Sequence, residues 1–283
     1  MLENMKEMLT KAKNESYAVP HFNINNLEWT RYILEECQNN NSPVILGVSE
    51  GAAKYMGGYN VIAKMVKGLL EDLNITIPVA LHLDHGSTFD ACKKAIDAGF
   101  TSVMIDASKH SLLDNINITN EVIAYAKSKE VTVEAEVGHI GGSEDGISSE
   151  LAYAKVEDCI EFVNATNVDF LAPALGSVHG IYKGEPNLDF VKMQEIKEIT
   201  KLPLVLHGGS GIPDDKIKKA ISCGITKINV NTELQIAWSK AVRQFLSENN
   251  SVYDPRKIIK AGENAMKENI KYKILLFGSN NKA

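Results

Sequence analysis

Three histidine–glycine pairs stand at or just beyond the ends of separate apolar runs in the sequence. The pairs are His85-Gly86, His179-Gly180 and His207-Gly208. Apolar runs of this length are typical of buried strands, and the carboxyl ends of parallel barrel strands meet at one rim. Three imidazoles with a vacant fourth position form a common catalytic zinc site. The pairs therefore predict that His85, His179 and His207 hold a divalent metal ion, with zinc (Zn2+) as the preferred ion.

Acidic side chains accompany the predicted metal ligands. Asp84 immediately precedes His85, so its carboxylate either orients an imidazole or acts as a general acid and base on the bound ligand. Asp106 ends another apolar run and Glu136 lies in the next one. Both could supply hard oxygen ligands to a second or alternative metal position. Glu134 would share a strand face with Glu136 and could instead orient ligands.

The remaining histidines have other expected roles. His82 lies two residues before Asp84, so the two side chains would face the same side of a strand. His82 is either a fourth ligand or, as we favour, a residue that fills the core or orients a ligand. We expect His21, His110 and His139 to be structural or to face solvent.

A glycine-rich loop follows the seventh apolar run, and a polar turn closes the eighth. Residues 208–211 read Gly-Gly-Ser-Gly, and residues 229–232 read Asn-Val-Asn-Thr. Backbone N–H groups of such loops, together with a helix amino end, often hold a phosphate after the seventh and eighth strands of a barrel. Lys183 could add a cation. The acidic segment 138–150 is expected to be a surface loop, and could act as a lid that carries Glu144 or Asp145.

The positions of these candidate residues depend on a regular alternation of strands and helices along the chain. Eight short apolar runs predict strands at 17–22, 43–48, 78–83, 102–106, 131–137, 168–174, 203–207 and 227–231. Segments of helical period lie at 27–38, 61–73, 89–98, 114–129, 156–165, 188–200, 214–222 and 232–248. Eight such pairs give a closed barrel or a doubly wound open sheet. We favour an α/β fold with a (β/α)8 TIM barrel, because polar residues follow many different strands. We expect one domain over residues 1–283, with extra helices at 1–13 and 255–276.

Composition and charge limit the classes of partner that we expect for this chain. The 283 residues carry a formal net charge of −6 with acidic and basic residues intermixed, which argues against nucleic acid as the main partner. Apolar runs stay far below the roughly 20 residues of a membrane span, and no apolar signal core begins the sequence. The four cysteines are widely spaced and are expected to be buried or half-buried hydrophobes rather than disulfides. We expect a cytoplasmic protein.

Motifs along the chain resemble those of the class II, metal-dependent fructose-1,6-bisphosphate aldolases, in the shorter bacterial branch shared with tagatose-bisphosphate aldolases. The matching motifs are YAVPHFNINN (17–26), PVILGVSEG (43–51), YMGG (55–58), HLDHG (82–86), EAEVG (134–138), APALGSVHG (172–180), YKGEPNL (182–188), LHGGSG (206–211), KINVNT (227–232) and DPRK (254–257). The resemblance implies a (β/α)8 barrel that binds a sugar bisphosphate and triose phosphates and assembles as a homodimer or homotetramer.

Site roles also follow from the resemblance, position by position. It implies zinc on His85, His179 and His207, and a second or displaced metal on Asp106 and Glu136. It implies that Asp84 is the catalytic aspartate and Glu144 the lid carboxylate. The dihydroxyacetone-phosphate site would comprise Gly180, Lys183, Gly208, Gly209, Ser210, Asn229, Val230, Asn231 and Thr232. The other phosphate would contact Ser49 and an Arg256 that reaches across from a neighbouring subunit. Ser143 stands where some relatives carry a second acid, which leaves the roles within this loop open.

Aldol cleavage leaves negative charge on the ketone half, and a metal ion or a Schiff-base lysine can stabilise that charge. Lys227 begins the last predicted strand, away from the rim, and Lys183 suits a phosphate better, so the sequence favours the metal. Tagatose 1,6-bisphosphate is the nearest alternative substrate. A zinc-dependent hydrolase and an inactive sugar-phosphate binding protein are the more remote alternatives.

Overall fold

Eight runs of buried residues form a closed parallel barrel. The computed structural model describes residues 2–144, 147–182 and 184–283, and of residues 143, 144 and 147–149 only the backbone. Neighbouring barrel strands follow one another along the chain, and the last pairs with the first in a register that runs from Val19↔Lys227 to Phe22↔Val230. The predicted (β/α)8 barrel is confirmed, and closure of the sheet excludes the open doubly wound alternative.

The strands of the described chain are β1 (Val19–Asn23), β2 (Val44–Ser49), β3 (Val79–Gly86), β4 (Ser102–Ile105), β5 (Thr132–Val137), β6 (Gly141–Glu144), β7 (Ile147–Ser149), β8 (Phe170–Pro173), β9 (Val178–His179), β10 (Leu204–Leu206) and β11 (Ile225–Val230). The barrel comprises β1 to β5, β8, β10 and β11, whereas β6, β7 and β9 form a separate three-stranded sheet. The helices are α1 (Lys6–Glu15), α2 (Leu27–Asn39), α3 (Glu50–Tyr55), α4 (Tyr59–Asp72), α5 (Phe89–Ala98), α6 (Leu112–Lys127), α7 (Val156–Thr166), α8 (Phe190–Thr200), α9 (Asp214–Ser222), α10 (Thr232–Glu248), α11 (Pro255–Lys260) and α12 (Glu263–Phe277).

Local sequence explains where the helices begin and end. In α5 the Thr88 side chain accepts a hydrogen bond from the Ala91 N–H, which caps the first turn. The helix ends at Gly99, whose φ of 101° lies in the left-handed region that glycine adopts without steric cost. Apolar faces of α2, α4, α5 and α7 pack with the outer faces of the strands in the main hydrophobic core. None of the described helices is both long and apolar enough to cross a membrane.

Helix α1 covers the amino-terminal end of the barrel. Its buried residues Met8, Leu9 and Ala12 pack in a second core with residues such as Val19 and Ile45 of the strands. The segment before the helix also bonds to strand starts, since Glu3 N–H donates to Val79 O at 2.9 Å. This arrangement leaves the carboxyl end of the barrel for the site.

Two sequence predictions are corrected here. Segment 138–150, expected to be a loop, contains β6 and β7, which pair antiparallel while β6 pairs parallel with β9. The pairing was missed because it joins glycine-rich, polar residues that lack the apolar pattern of a strand. The predicted terminal helix 255–276 is divided into α11 and α12, which are joined at Ala261 and Gly262. Gly262 lies against the Trp238 indole, where a Cβ would meet Cδ1 at 2.1 Å.

Candidate active site

His85, His179 and His207 lie together at the carboxyl end of the barrel. The three ring centroids are 4.6 to 5.7 Å apart, and their candidate ligand nitrogens all fall within 4.8 Å of one another. His85 has a φ of 51°, a left-handed conformation that costs energy outside glycine and that turns the chain at the end of β3. Burial lowers the pKa of His179 and of His207 well below its usual value. These imidazoles are therefore neutral, which is the form that binds a metal ion.

A buried carboxylate and a buried ammonium hold the His207 ring. His207 Nε2 lies 2.9 Å from Glu134 Oε1, while its Nδ1 lies 3.0 Å from His85 Nε2. Lys227 Nζ donates to both oxygens of Glu134, at 3.1 and 2.8 Å, and all three side chains are 0–1% exposed. A proton on Nε2 satisfies Glu134 and leaves the Nδ1 lone pair facing the other imidazoles. Lys227 therefore lies inside the barrel, in the middle of β11, and not at a strand start as predicted.

Asp106 orients the His85 ring from the next strand. Its Oδ2 lies 3.0 Å from His85 Nδ1, and its Oδ1 accepts the Ser108 hydroxyl at 2.6 Å. Burial by itself would raise the pKa of Asp106, but the hydrogen bonds from His85 and Ser108 outweigh burial and lower the pKa. The carboxylate is therefore ionised, and it leaves His85 Nε2 directed toward His207.

Glu136 forms the edge of a second cluster of ligand groups. Its Oε1 accepts the Ile140 N–H at 2.8 Å, and no hydrogen-bond donor among the described residues reaches its buried Oε2. Burial, followed by the charge of Asp106, raises the pKa of Glu136. His85, Asp106 and Glu136 bring ligand atoms within 4.8 Å of one another. Such a group could take a cation, which would also satisfy the buried oxygen.

Asp84 lies beside the histidine cluster without a hydrogen bond to any of its three rings among the described residues. The nearest, His85 Nε2, is 4.0 Å from Asp84 Oδ1. The carboxylate instead accepts the side-chain amides of Asn23 at 2.8 Å and Asn229 at 3.2 Å. Since Glu134 and Asp106 already orient the imidazoles, this geometry favours the acid–base interpretation of Asp84 over the orienting one.

His21 and His82 fill the barrel below this carboxylate. Both are fully buried, and His82 Nδ1 lies 2.9 Å from the Ser102 hydroxyl. Burial, together with the charge of Lys227, lowers the pKa of His21 to about 3, so the ring is neutral at pH 7. Burial also opposes the charge on Asp84, yet its surroundings hold the pKa of Asp84 well below the usual range. The charge of Lys227 and the hydrogen bonds from the Asn23 and Asn229 amides favour the ionised form of this carboxylate.

The glycine-rich loop 208–211 and the segment 229–232 meet at the same end of the barrel. Gly209 N–H donates to Asn229 O at 2.9 Å, which joins the loop after β10 to the end of β11. Gly208 has a φ of 64°, and a Cβ there would lie 2.2 Å from Val178 O. Ser210 follows and accepts the Glu233 N–H at 3.3 Å. Gly180, with a φ of 86°, directly follows the ligand candidate on β9.

Comparison with known proteins decides the family. The model of the family described as fructose-bisphosphate aldolase class-II matches residues 3–282. The chain belongs to this family. The fructose-bisphosphate aldolases of Geobacillus stearothermophilus and Staphylococcus aureus (strain Mu50) are 58% and 59% identical to it over 283 residues, which cover 100% of this chain and 99% of each relative. The family resemblance expected from the sequence motifs is thus confirmed.

Solved structures of aldolases share the fold. The YdjI aldolase from Escherichia coli K12 superposes with a TM-score of 0.87 at 33% identity and covers 100% of both chains. The fructose-bisphosphate aldolase of Campylobacter jejuni gives 0.86 at 26% identity, over 99% of this chain and 95% of that one. Class-II aldolases are lyases that act on sugar phosphates and are generally metal-dependent, and the described chain has histidine and carboxylate groups that could hold a metal.

The functional roles of the other residues predicted for this aldolase site stay predictions. The Ser49 hydroxyl accepts the Ala52 N–H at 3.1 Å and caps α3. The Val230 side chain is fully buried, so only its backbone can face a ligand. Arg256 is 89% exposed on α11 and pairs with Asp254 of the same chain. Lys183 and the side chain of Glu144 fall outside the described residues.

Sequence reasoning missed three residues that shape the class-II aldolase site. Asn23 holds Asp84, and Lys227 holds Glu134. Tyr182 donates to Gly208 O at 2.9 Å and accepts the Val178 N–H at 3.1 Å, so it ties the loop after β10 to β9. Burial raises the pKa of Tyr182 to about 12, which keeps this donor protonated. The available signals for the first two were an asparagine directly after the first predicted strand and a lysine within the last one.

Proposed function

We propose that the chain cleaves fructose 1,6-bisphosphate reversibly to dihydroxyacetone phosphate and glyceraldehyde 3-phosphate. The observation that carries the proposal is the convergence of three imidazoles beside Asp84, whose carboxylate lies 4.0 Å from His85 Nε2 and is not hydrogen-bonded to that ring. The relatives named fructose-bisphosphate aldolase support the choice of substrate. Tagatose 1,6-bisphosphate remains the alternative, and the turnover of the two bisphosphates under identical conditions decides between them.

We propose Zn2+ on His85, His179 and His207 as the cofactor, with Asp106 and Glu136 at a second divalent position. The donor set fits, because three imidazole nitrogens are typical of catalytic zinc sites, and carboxylates orient two of the rings, Asp106 that of His85 and Glu134 that of His207. When bound, the ion acts as a Lewis acid that polarises the substrate carbonyl. Lys227 is engaged by Glu134 inside the barrel, which argues against a Schiff base at that lysine.

Asp84 performs the proton transfer at the bond that breaks. During cleavage its carboxylate removes the proton of the C4 hydroxyl, and the electrons of that O–H bond form the aldehyde C=O. The electron pair of the breaking C3–C4 bond stays with C3 of the ketone half. During condensation Asp84 returns a proton to the aldehyde oxygen. The amides of Asn23 and Asn229 hold the carboxylate in place for both directions. Glu144 of the lid would deliver a proton to C3 of the ketone half during cleavage and would remove that proton during condensation.

Two phosphate-binding sites would orient the substrate along the rim of the barrel. One comprises Gly180, Lys183, Gly208, Gly209, Ser210, Asn229, Val230, Asn231 and Thr232. Asn231 precedes the first turn of α10, and the amino end of a helix attracts an anion. Ser49 and Arg256 would hold the second phosphate. Binding at both ends places the reacting bond beside Asp84, and such positioning contributes to the rate.

Replacement of Asp84 tests the mechanism. We expect Asp84→Ala to lower kcat by about 10²–10⁴-fold, the usual contribution of a general acid–base group, while zinc content stays near normal. His85→Ala should lose zinc and activity together. The measurements are a coupled triose-phosphate assay and elemental analysis of each variant, with and without EDTA. Full turnover by Asp84→Ala, or EDTA-resistant cleavage by the parent enzyme, would refute the proposal.

We further propose a single-domain, cytoplasmic subunit that assembles as a homodimer or homotetramer. The exposure of Arg256 on α11 supports a role in a neighbouring site rather than its own. Co-expression of Asp84→Ala and Arg256→Ala chains tests this exchange. A mixed dimer has one site with an intact Asp84 and a donated Arg256, so activity should exceed that of either variant alone. Activity no greater than the sum of the two variants would contradict a shared site.

A further inference from the structure

A buried ion pair connects the carboxyl-terminal helix to the start of α10. Lys273 of α12 is 3% exposed, and its Nζ lies 2.7 Å from Glu233 Oε2. Glu233 is the second residue of α10 and is 25% exposed on its side chain. The lysine therefore lies below the surface, with the carboxylate between it and the rim of the barrel.

The other oxygen of this carboxylate contacts the loop after β10. Glu233 Oε1 accepts the N–H of Gly211 at 2.5 Å, and the Glu233 N–H donates to the Ser210 hydroxyl at 3.3 Å. Gly211 has a φ of 83°, so the loop turns where the carboxylate holds it. Lys273, Glu233 and the loop at 208–211 thus form one connected unit.

A carboxylate at this place has two opposed effects on an anion. It fixes the loop that presents N–H groups, but its charge repels a phosphate that binds to the same loop and helix end. The nearly buried Lys273 side chain offsets that charge at 2.7 Å, and salt screens such a pair far less than an exposed one. The ion pair with Lys273 therefore lets Glu233 hold the 208–211 loop in place without repelling the phosphate.

We propose that Lys273 is a positioning residue that neutralises Glu233 and thereby sets the affinity of the 208–211 loop for the phosphate of the ketose. The inference rests on the proposed function, which assigns a phosphate to this loop. The inference gives α12 a part in substrate binding. The sequence had predicted only an extra outer helix there.

Four variants test the charge relation: Lys273→Met, Glu233→Gln/Lys273→Met, Lys273→Arg and, as a control, Lys267→Met. Lys267 lies on the same helix and pairs with Glu35 and Glu263 at 2.6 and 2.7 Å, but not with the loop. The readouts are KM and kcat for fructose 1,6-bisphosphate, the Kd of inorganic phosphate by calorimetry, zinc content and melting temperature.

We expect Lys273→Met to raise KM and the phosphate Kd about tenfold or more, the effect of one unneutralised charge within roughly 10 Å of an anion, with little change in kcat. The double variant should return both constants to within about threefold of the parent by the same reasoning, and Lys273→Arg should behave like the parent. Lys267→Met should change the melting temperature alone.

A Lys273→Met enzyme that melts earlier but binds phosphate normally would overturn the inference, as would a double variant as weak as the single one. Failure of the proposed function looks different. The parent would then bind inorganic phosphate and respond to these substitutions without cleaving the bisphosphate.

Discussion

The imidazole of His207 lies between other metal-ligand candidates on one side and a charged pair on the other. Glu134 and Lys227 come from β5 and β11, which are not neighbours in the barrel, so the pair spans its interior. Removal of one partner would leave an unpaired buried charge, which is far more costly than removal of both. The pair therefore stabilises a particular orientation of the ring and a particular protonated nitrogen.

We predict that the charge-neutral double variant Glu134→Gln/Lys227→Met folds and weakens zinc binding by about 10–100-fold, the usual effect of losing a group that orients a ligand. Titration with zinc in competition with a chromophoric chelator measures the change. Lys267→Met, which breaks a peripheral ion pair, should keep the parent affinity. Unchanged zinc affinity in the double variant would show that the pair supports the barrel alone.

At the scale of elements, the small sheet of β6, β7 and β9 links the candidate lid to a metal ligand. Gly142 of β6 pairs with His179 of β9 and has a φ of 105°. A Cβ at Gly142 would lie 2.2 Å from the His179 carbonyl oxygen, so no side chain fits without separating the strands. The position of His179 and the course of the lid are therefore coupled through backbone pairing.

We predict that Gly142→Ala lowers kcat by about 10²-fold, since displacement of a site residue by about 1 Å can cost that much. Zinc affinity should fall as well, because His179 moves with β9. Gly68→Ala is the matched control. Gly68 lies inside α4, and an added Cβ would meet no atom of the described chain within 4 Å beyond its own helix backbone, so alanine should stabilise the protein by about 0.5–1 kcal/mol. Parent-like kinetics in Gly142→Ala would contradict the coupling.

At the scale of the whole molecule, the two ends of the barrel have separate tasks. The carboxyl end holds the candidate site, and α1 packs into the amino end through Leu9 and its neighbours. Leu9 is fully buried, whereas Leu113 in the first turn of α6 is 67% exposed. This separation predicts that stability and activity can be changed independently.

We expect Leu9→Ala to lower the free energy of unfolding by about 2–5 kcal/mol, the cost of a buried leucine, with kcat unchanged below the melting temperature. Leu113→Ala should change stability by less than about 0.5 kcal/mol. Urea unfolding and the coupled aldolase assay give the two quantities. A loss of kcat in folded Leu9→Ala enzyme would mean that the two ends are not independent.

Local pattern determined the elements and their order. Eight apolar runs and eight helical segments sufficed for the barrel, because burial on both faces demands apolar strands and because caps such as Thr88 and Gly99 act within one helical turn. The His-Gly pairs and Asp84 were visible because each stands at or just beyond the end of an apolar run. The strands β6 and β7 were not visible, since they pair polar residues.

Only the tertiary structure decided which side chains act on one another across the barrel. The chain separates Lys227 from Glu134 by 93 residues and Asn229 from Asp84 by 145, yet barrel closure brings each pair within hydrogen-bond distance. It also resolved whether Asp84 orients an imidazole, because that depends on where Glu134 and Asp106 lie. Local steric and apolar preferences determine where each strand ends and therefore which side chains lie at that end. Contacts between strand ends depend on strand register and barrel closure, which arise from packing of the whole chain.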